Sequence, residues 1–167
     1  MPSPVPPSSP PSSGRATGVW LIGARGSVAT TTVAGHAALA AGLFPATGMV
    51  TETPPFAQSG LPPLSALVFG GHDTAACPLP KRAEHLAAGG VLPHGLPSAV
   101  RAELADADAE IRPGGPLPGD TRSEEDLIAA FAADITDFVR RRGLARAVVV
   151  NVASTEPAPP DTPHTPR

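Results

Sequence analysis

One stretch constrains this chain more than any other. The apolar run Gly18-Val19-Trp20-Leu21-Ile22-Gly23 passes directly into Ala24-Arg25-Gly26-Ser27-Val28-Ala29. A short continuous apolar run ending in Gly reads as a strand buried on both faces, not as an alternating surface strand. From Ser27 to Ala41 the residues are small and helix-tolerant, and Gly42 is a suitable C′ stop. The β-branched run Val28 to Val33 has poor intrinsic helix propensity, so a helix there must be held by packing. Strand, glycine turn and helix in that order form an anion cradle. Gly23 makes the tight turn, Gly26 leaves the backbone open to a pyrophosphate, and Ala29 lets helix and strand pack closely. The first-turn N–H groups then face the anion with the helix dipole behind them. Ser27 adds a hydroxyl. The pattern is G-x-x-G-x-x-A, with Arg25 where the commoner fingerprint has its second Gly. Arg25 either contacts phosphate or is solvated.

The rest of the chain reads as an α/β fold. Thr47 to Thr51 is a candidate second strand, and Leu64 to Phe69 a stronger third one. Residues 71 to 95 are rich in Gly, Pro and His and resist assignment. Pro97 to Ile111 reads as helix, and 112 to 121 as a Pro/Gly loop. The clearest helix is Ser123 to Arg142. Ser123 is its N-cap with Asp126 at the capping-box position, acids crowd the first turn, and Arg140 to Arg142 precede Gly143. Leu127, Ile128, Phe131, Ile135, Phe138 and Val139 form its apolar stripe. Ala147 to Val152 is a last buried-type strand. This order predicts an incomplete Rossmann-like, mainly parallel sheet with flanking helices, about four strands where a finished one has five or six. Residues 1 to 17 and 157 to 167 are Pro-rich and read as disordered tails around a partial domain at 18 to 156.

Composition removes several classes of function. The formal net charge is −3, and Arg140 to Arg142 is the one cationic block, so nucleic acid is not an expected partner. No apolar run approaches the roughly 20 residues that span a bilayer, so no membrane partner is expected either. A single cysteine, Cys77, suits a reducing cytoplasm. There is no Tyr, which excludes the Tyr and Lys pair of a short-chain dehydrogenase. The one lysine is Lys81. His72, Asp73, Cys77, His85 and His94 match no zinc spacing, so no metal is expected. Ser154 lacks the Gly-flanked elbow of an exposed nucleophile. His36 falls within an Ala-rich helical run, away from any catalytic pattern. For the adenosine ribose, an acid usually lies about 20 residues beyond the loop; Glu52 and Asp73 are the candidates, and spacing favours Glu52.

Four segments together resemble the inositol-phosphate synthases. They are Gly23-Ala24-Arg25-Gly26-Ser27-Val28-Ala29-Thr30-Thr31, Val68-Phe69-Gly70-Gly71-His72-Asp73, Leu92-Pro93-His94-Gly95 and Val150-Asn151-Val152-Ala153-Ser154-Thr155-Glu156. The second is similar to the family's Gly-Gly-Trp-Asp segment, with His72 in place of Trp, and moves the ribose assignment to Asp73. The last is similar to the family's Asn-Thr-Thr-Glu segment, which implies that Asn151, Ser154 and Thr155 lie near the nicotinamide. The resemblance implies NAD as cofactor, held by Gly23, Ala24, Arg25, Gly26, Ser27, Val28 and those residues. It also implies isomerisation of glucose 6-phosphate to an inositol monophosphate, in a homotetramer. The family's catalytic lysines follow the Asn-Thr-Thr-Glu segment, whereas this chain ends about a dozen residues later and its Lys81 does not match them. The expectation is a truncated member that keeps part of the NAD site, has no catalytic residue of its own and is inactive alone. The alternatives are a nucleotide-binding module without catalysis and a fragment that does not fold.

Overall fold

The computed structural model describes residues 16–56, 59–115 and 119–153. Strand β1 (Thr17–Ile22) leads through the glycine turn into helix α1 (Ser27–Ala40). Strand β2 is Leu67–Asp73, followed by helix α2 (Leu79–Ala88), a short α3 (Leu96–Ala99) and α4 (Arg101–Ala109). Strand β3 (Ile111–Pro113), helix α5 (Glu124–Arg141) and strand β4 (Arg146–Asn151) complete the order.

The four strands form one parallel sheet in the order β3-β2-β1-β4. Chain order therefore reverses between β1 and β4, which is the Rossmann-like topology, and crevices at such switch points receive ligands in open α/β sheets. The expected strand at Thr47 to Thr51 does not form. Gly48 takes φ +83 there, and Val50–Glu52 is a turn of 3-10 helix. The third predicted strand is shifted, since Leu64–Ala66 is also 3-10 and the ladder starts at Leu67. The predicted helix 97 to 111 is broken at Val100 (φ −116, ψ 25), and Ile111 begins β3 instead of ending a helix.

Two apolar layers cover the sheet. Leu21, Phe69, Val33, Ala37, Leu86 and Leu104 belong to the larger core, between the sheet and α1, α2 and α4. In α1, Ala29, Thr30, Val33, Ala34, Ala37 and Ala38 are buried, a helical stripe that compensates for weak propensity. Thr30 and Thr32 also return their hydroxyls to the carbonyls of Gly26 and Val28. On the other face Trp20, Phe138 and Leu144 form a smaller core under α5. Gly18 and Gly70 make that contact possible, because a Cβ on either would lie 2.7 Å and 3.2 Å from the Phe138 ring.

Helix α5 carries the predicted capping box, with Ser123 Oγ accepting from the Asp126 amide at 3.1 Å. Of its stripe, only Phe138 is fully buried, and Ile128 is 67 % exposed. Its terminal arginines do more than face the dipole. Arg141 and Arg142 grip buried Glu110 at the end of α4, tying the two helical layers together. Among the described residues, strand β4 is an edge of the sheet and is mostly exposed. Val148 and Val150 share register with Val19 and Leu21, Val149 shares it with Trp20, and all three valines are exposed.

Candidate functional site

The turn between β1 and α1 lies at the switch point. Gly23 has φ +84, as the tight turn requires, and a Cβ there would lie 2.8 Å from Ala153 Cα just beyond β4. The turn is tied to the carboxyl end of β2. Both Gly23 N–H and Ala24 N–H donate to His72 C=O, at 2.9 and 3.1 Å. Arg25 N–H donates to Asp73 Oδ2 at 2.6 Å, and Gly26 N–H to Gly23 C=O at 3.0 Å. Gly71 permits this approach, since its Cβ would stand 2.1 Å from Leu21 O and 2.6 Å from Ala24 Cβ.

The α-helical ladder of α1 begins with Thr30 N–H to Gly26 C=O at 3.0 Å. The amides of Ser27, Val28 and Ala29 therefore precede it, and no side chain caps them. Among the described residues they have no hydrogen-bond partner. So the four amides of Gly23 to Gly26 hold the loop in shape, and the next three are the free donors. Gly26 itself has an ordinary φ of −68, and a Cβ on it would meet only Gly23 O at 3.1 Å.

The side chains around the loop have definite partners. Arg25, read from sequence as either a phosphate contact or solvated, is largely buried and has protein partners. Its Nε pairs with Asp108 at 2.9 Å and its Nη1 donates to Ala75 C=O. Asp73 sits at the end of β2 beside the loop, its Oδ1 accepting from the Ala75 amide at 2.7 Å. Glu52, the candidate favoured by spacing, is exposed on a 3-10 turn and makes no described contact with the loop. Asn151 ends β4 beside Ile22, with Oδ1 accepting from Ala153 N–H at 3.0 Å. Ser154 and Thr155 lie outside the described residues. Ser27 Oγ accepts from Nη2 of Arg82 at 3.0 Å. Sequence reading missed Arg82 and Asp108, which lie 55 and 83 positions from their loop partners, with no local pattern to announce them.

His72 is 3 % exposed and both ring nitrogens are used. Trp20 Nε1 can only donate, so His72 Nδ1 accepts it at 3.0 Å, which leaves Nε2–H to donate to Asp134 at 2.9 Å. The ring also meets the Phe131 ring in a tilted contact, with centroids 4.6 Å apart. His72 is thus a fixed part of the wall that carries Asp73. No cluster of His, Cys, Asp or Glu among the described residues has the makings of a metal site. A groove of about 550 Å³ lies at the opposite, amino end of β2, bordered by Val33, His36, Leu67, Phe69 and Arg142. Its His36 is already bonded to Leu64 C=O at 2.6 Å. No described helix is long and apolar enough to cross a membrane.

No protein-family model and no curated protein matches this chain.

Proposed function

We propose that this chain binds the diphosphate of a dinucleotide, NAD, at the mouth of α1, as the nucleotide-binding part of a protein resembling the inositol-phosphate synthases. The observation that carries the reading is the set of unbonded amides at Ser27, Val28 and Ala29, at the switch point of a parallel sheet. Gly26 fits the same reading. Its φ does not call for glycine, and a Cβ would press on Gly23 O at 3.1 Å; an anion approaching the backbone is a further reason for glycine there. Asp73 fits as the ribose acceptor. A carboxylate offers about four acceptor positions, and its described bonds are those from the Arg25 and Ala75 amides. Its remaining lone pairs suit a vicinal diol.

When bound, NAD would supply hydride acceptance and return. The chain's own residues would bind and orient it. Lys81 does not add chemistry at the mouth, because it is exposed on α2 and paired with Glu84 at 3.0 Å. That placement favours binding without turnover, and conversion of glucose 6-phosphate is not expected from these residues alone.

Isothermal titration of the full chain with NAD tests the reading. The wild type binds, and Gly26→Val removes the heat, because its branched side chain would occupy the diphosphate's place while its extended φ and ψ suit valine. Equal binding by both proteins overturns the reading, as does absence of binding by the wild type.

A further inference from the structure

We propose that the outer edge of β4 is the surface through which two copies of this chain pair, their β4 strands running antiparallel about a twofold axis at Val149. The inference stands apart from the dinucleotide reading. The two edges of the sheet differ in kind. Strand β3 is three residues long and holds Arg112 and Pro113, a charge and a residue without a backbone donor, and such an edge resists pairing. Strand β4 has six residues, and from Ala147 to Val152 the chain carries no charge, no Pro and no Gly. Its apolar run is of the kind found in strands covered on both faces. Yet Val148, Val149 and Val150 are exposed, and among the described residues no strand lies beyond β4.

The backbone sets the register. Val152 N–H donates to Ile22 C=O at 2.9 Å, so that residue turns its backbone toward β1. Peptide groups alternate sides along a strand. Val148 and Val150 therefore face β1 as well, and Ala147, Val149 and Asn151 turn their N–H and C=O groups outward. Two such edges meet in phase when Val149 stands opposite its own copy and Ala147 opposite Asn151, each opposed pair exchanging both its hydrogen bonds. The side chains then match too. Val149 meets Val149 on the Trp20 face, and Val148 of one copy meets Val150 of the other on the face of Val19 and Leu21. A slide of two residues keeps the phase but sets Val149 against Ala147 or Asn151. Arg146 is the one charge on the strand. In the centred register it lies opposite Val152 and about 20 Å from its own copy, well beyond the screening length. One six-residue edge is small beside the roughly 800 Å² per partner of a stable dimer, so pairing depends on concentration. The antiparallel join sends the two α1 mouths to opposite ends of the combined sheet, so each stays open.

Sedimentation of the full wild-type chain over the micromolar-to-millimolar range tests the pairing, and disulfide trapping with oxidised glutathione tests the register. Trapping uses Cys77→Ser, which removes the native thiol, combined with either Val149→Cys or Val148→Cys. Hydrogen-bonded antiparallel partners stand about 5.5 Å apart at Cα, within disulfide reach. In the same register two copies of position 148 are diagonal neighbours about 7–8 Å apart, at or beyond its limit. Far-UV circular dichroism reports whether each variant is folded. The expected results are a sedimenting mass that rises with concentration toward that of two chains, and a covalent dimer that forms about tenfold faster at position 149 than at position 148. A wild type that stays monomeric throughout overturns the proposal. So does a dimer in which the folded variants are trapped equally fast at the two positions, or at neither.

Discussion

Asp73→Ala should destabilise the whole β1–α1 turn, even with no nucleotide present. The carboxylate accepts from Arg25 N–H at 2.6 Å in a part-buried setting and from Ala75 N–H at 2.7 Å in an exposed one. A hydrogen bond to a charged group contributes about 1.5–3 kcal/mol. Water replaces the lost acceptor readily at Ala75 but poorly at Arg25. Counting the first bond in full and the second at about 0.5 kcal/mol gives a loss of about 2–3.5 kcal/mol. In a domain of this size each kcal/mol moves the melting temperature by about 3–5 °C, so a fall of about 6–17 °C is expected. Thermal unfolding followed by far-UV circular dichroism and by tryptophan fluorescence measures it. The chain has one tryptophan, Trp20, buried and bonded to His72 beside Asp73, so the fluorescence reports on this end of the sheet while the circular dichroism follows the helices and strands as a whole. Asp73→Asn keeps one acceptor and should lose about half as much. A melting temperature for Asp73→Ala within about 2 °C of wild type would refute the claim that this carboxylate holds the loop.

Acid should loosen the tie between α4 and α5. The Arg141 guanidinium holds the Glu110 carboxyl below its ordinary value of 4.5, with Arg142 helping and burial opposing. A depressed carboxyl stabilises fully above the ordinary glutamate value and loses that contribution as pH falls through its folded value. Urea midpoints should therefore decline below pH 4.5 more steeply in wild type than in Glu110→Gln; parallel profiles would contradict the ion-pair account. The exposed edge of β4 should also make the protein self-associate with concentration, and Val149→Lys should reduce this, because a charge on an edge strand opposes pairing. Sedimentation at two protein concentrations decides it, and indistinguishable behaviour of the two proteins would speak against edge pairing.

Much of this architecture was legible from local pattern. The apolar run before Gly23 and the run Ala147 to Val152 gave β1 and β4, and Ser123 with Asp126 placed the start of α5. Strand β3 was not legible. It has three residues, ends in Pro113, and exists because Gly71 to Asp73 offer it a ladder. Thr47 to Thr51 shows the converse, a β-branched segment that finds no partner strand and turns at Gly48. Helix α2 was hidden by the glycines, prolines and histidines around it, although Leu79, Ala83, Leu86 and Ala87 bury one face.

The sequence by itself determined the unit of strand, tight glycine turn and helix, because those depend on residues within a few positions of one another. It also placed Asp73 near the end of a strand. Only the tertiary structure decided which amides stay free, since the donors of Gly23 to Arg25 are taken by β2, and their acceptors lie about fifty positions away. It likewise sent Arg25 to Asp108 and brought Arg82 to Ser27. A charge on a flexible side chain goes to whichever partner the packed backbone brings within reach, and that information is not local.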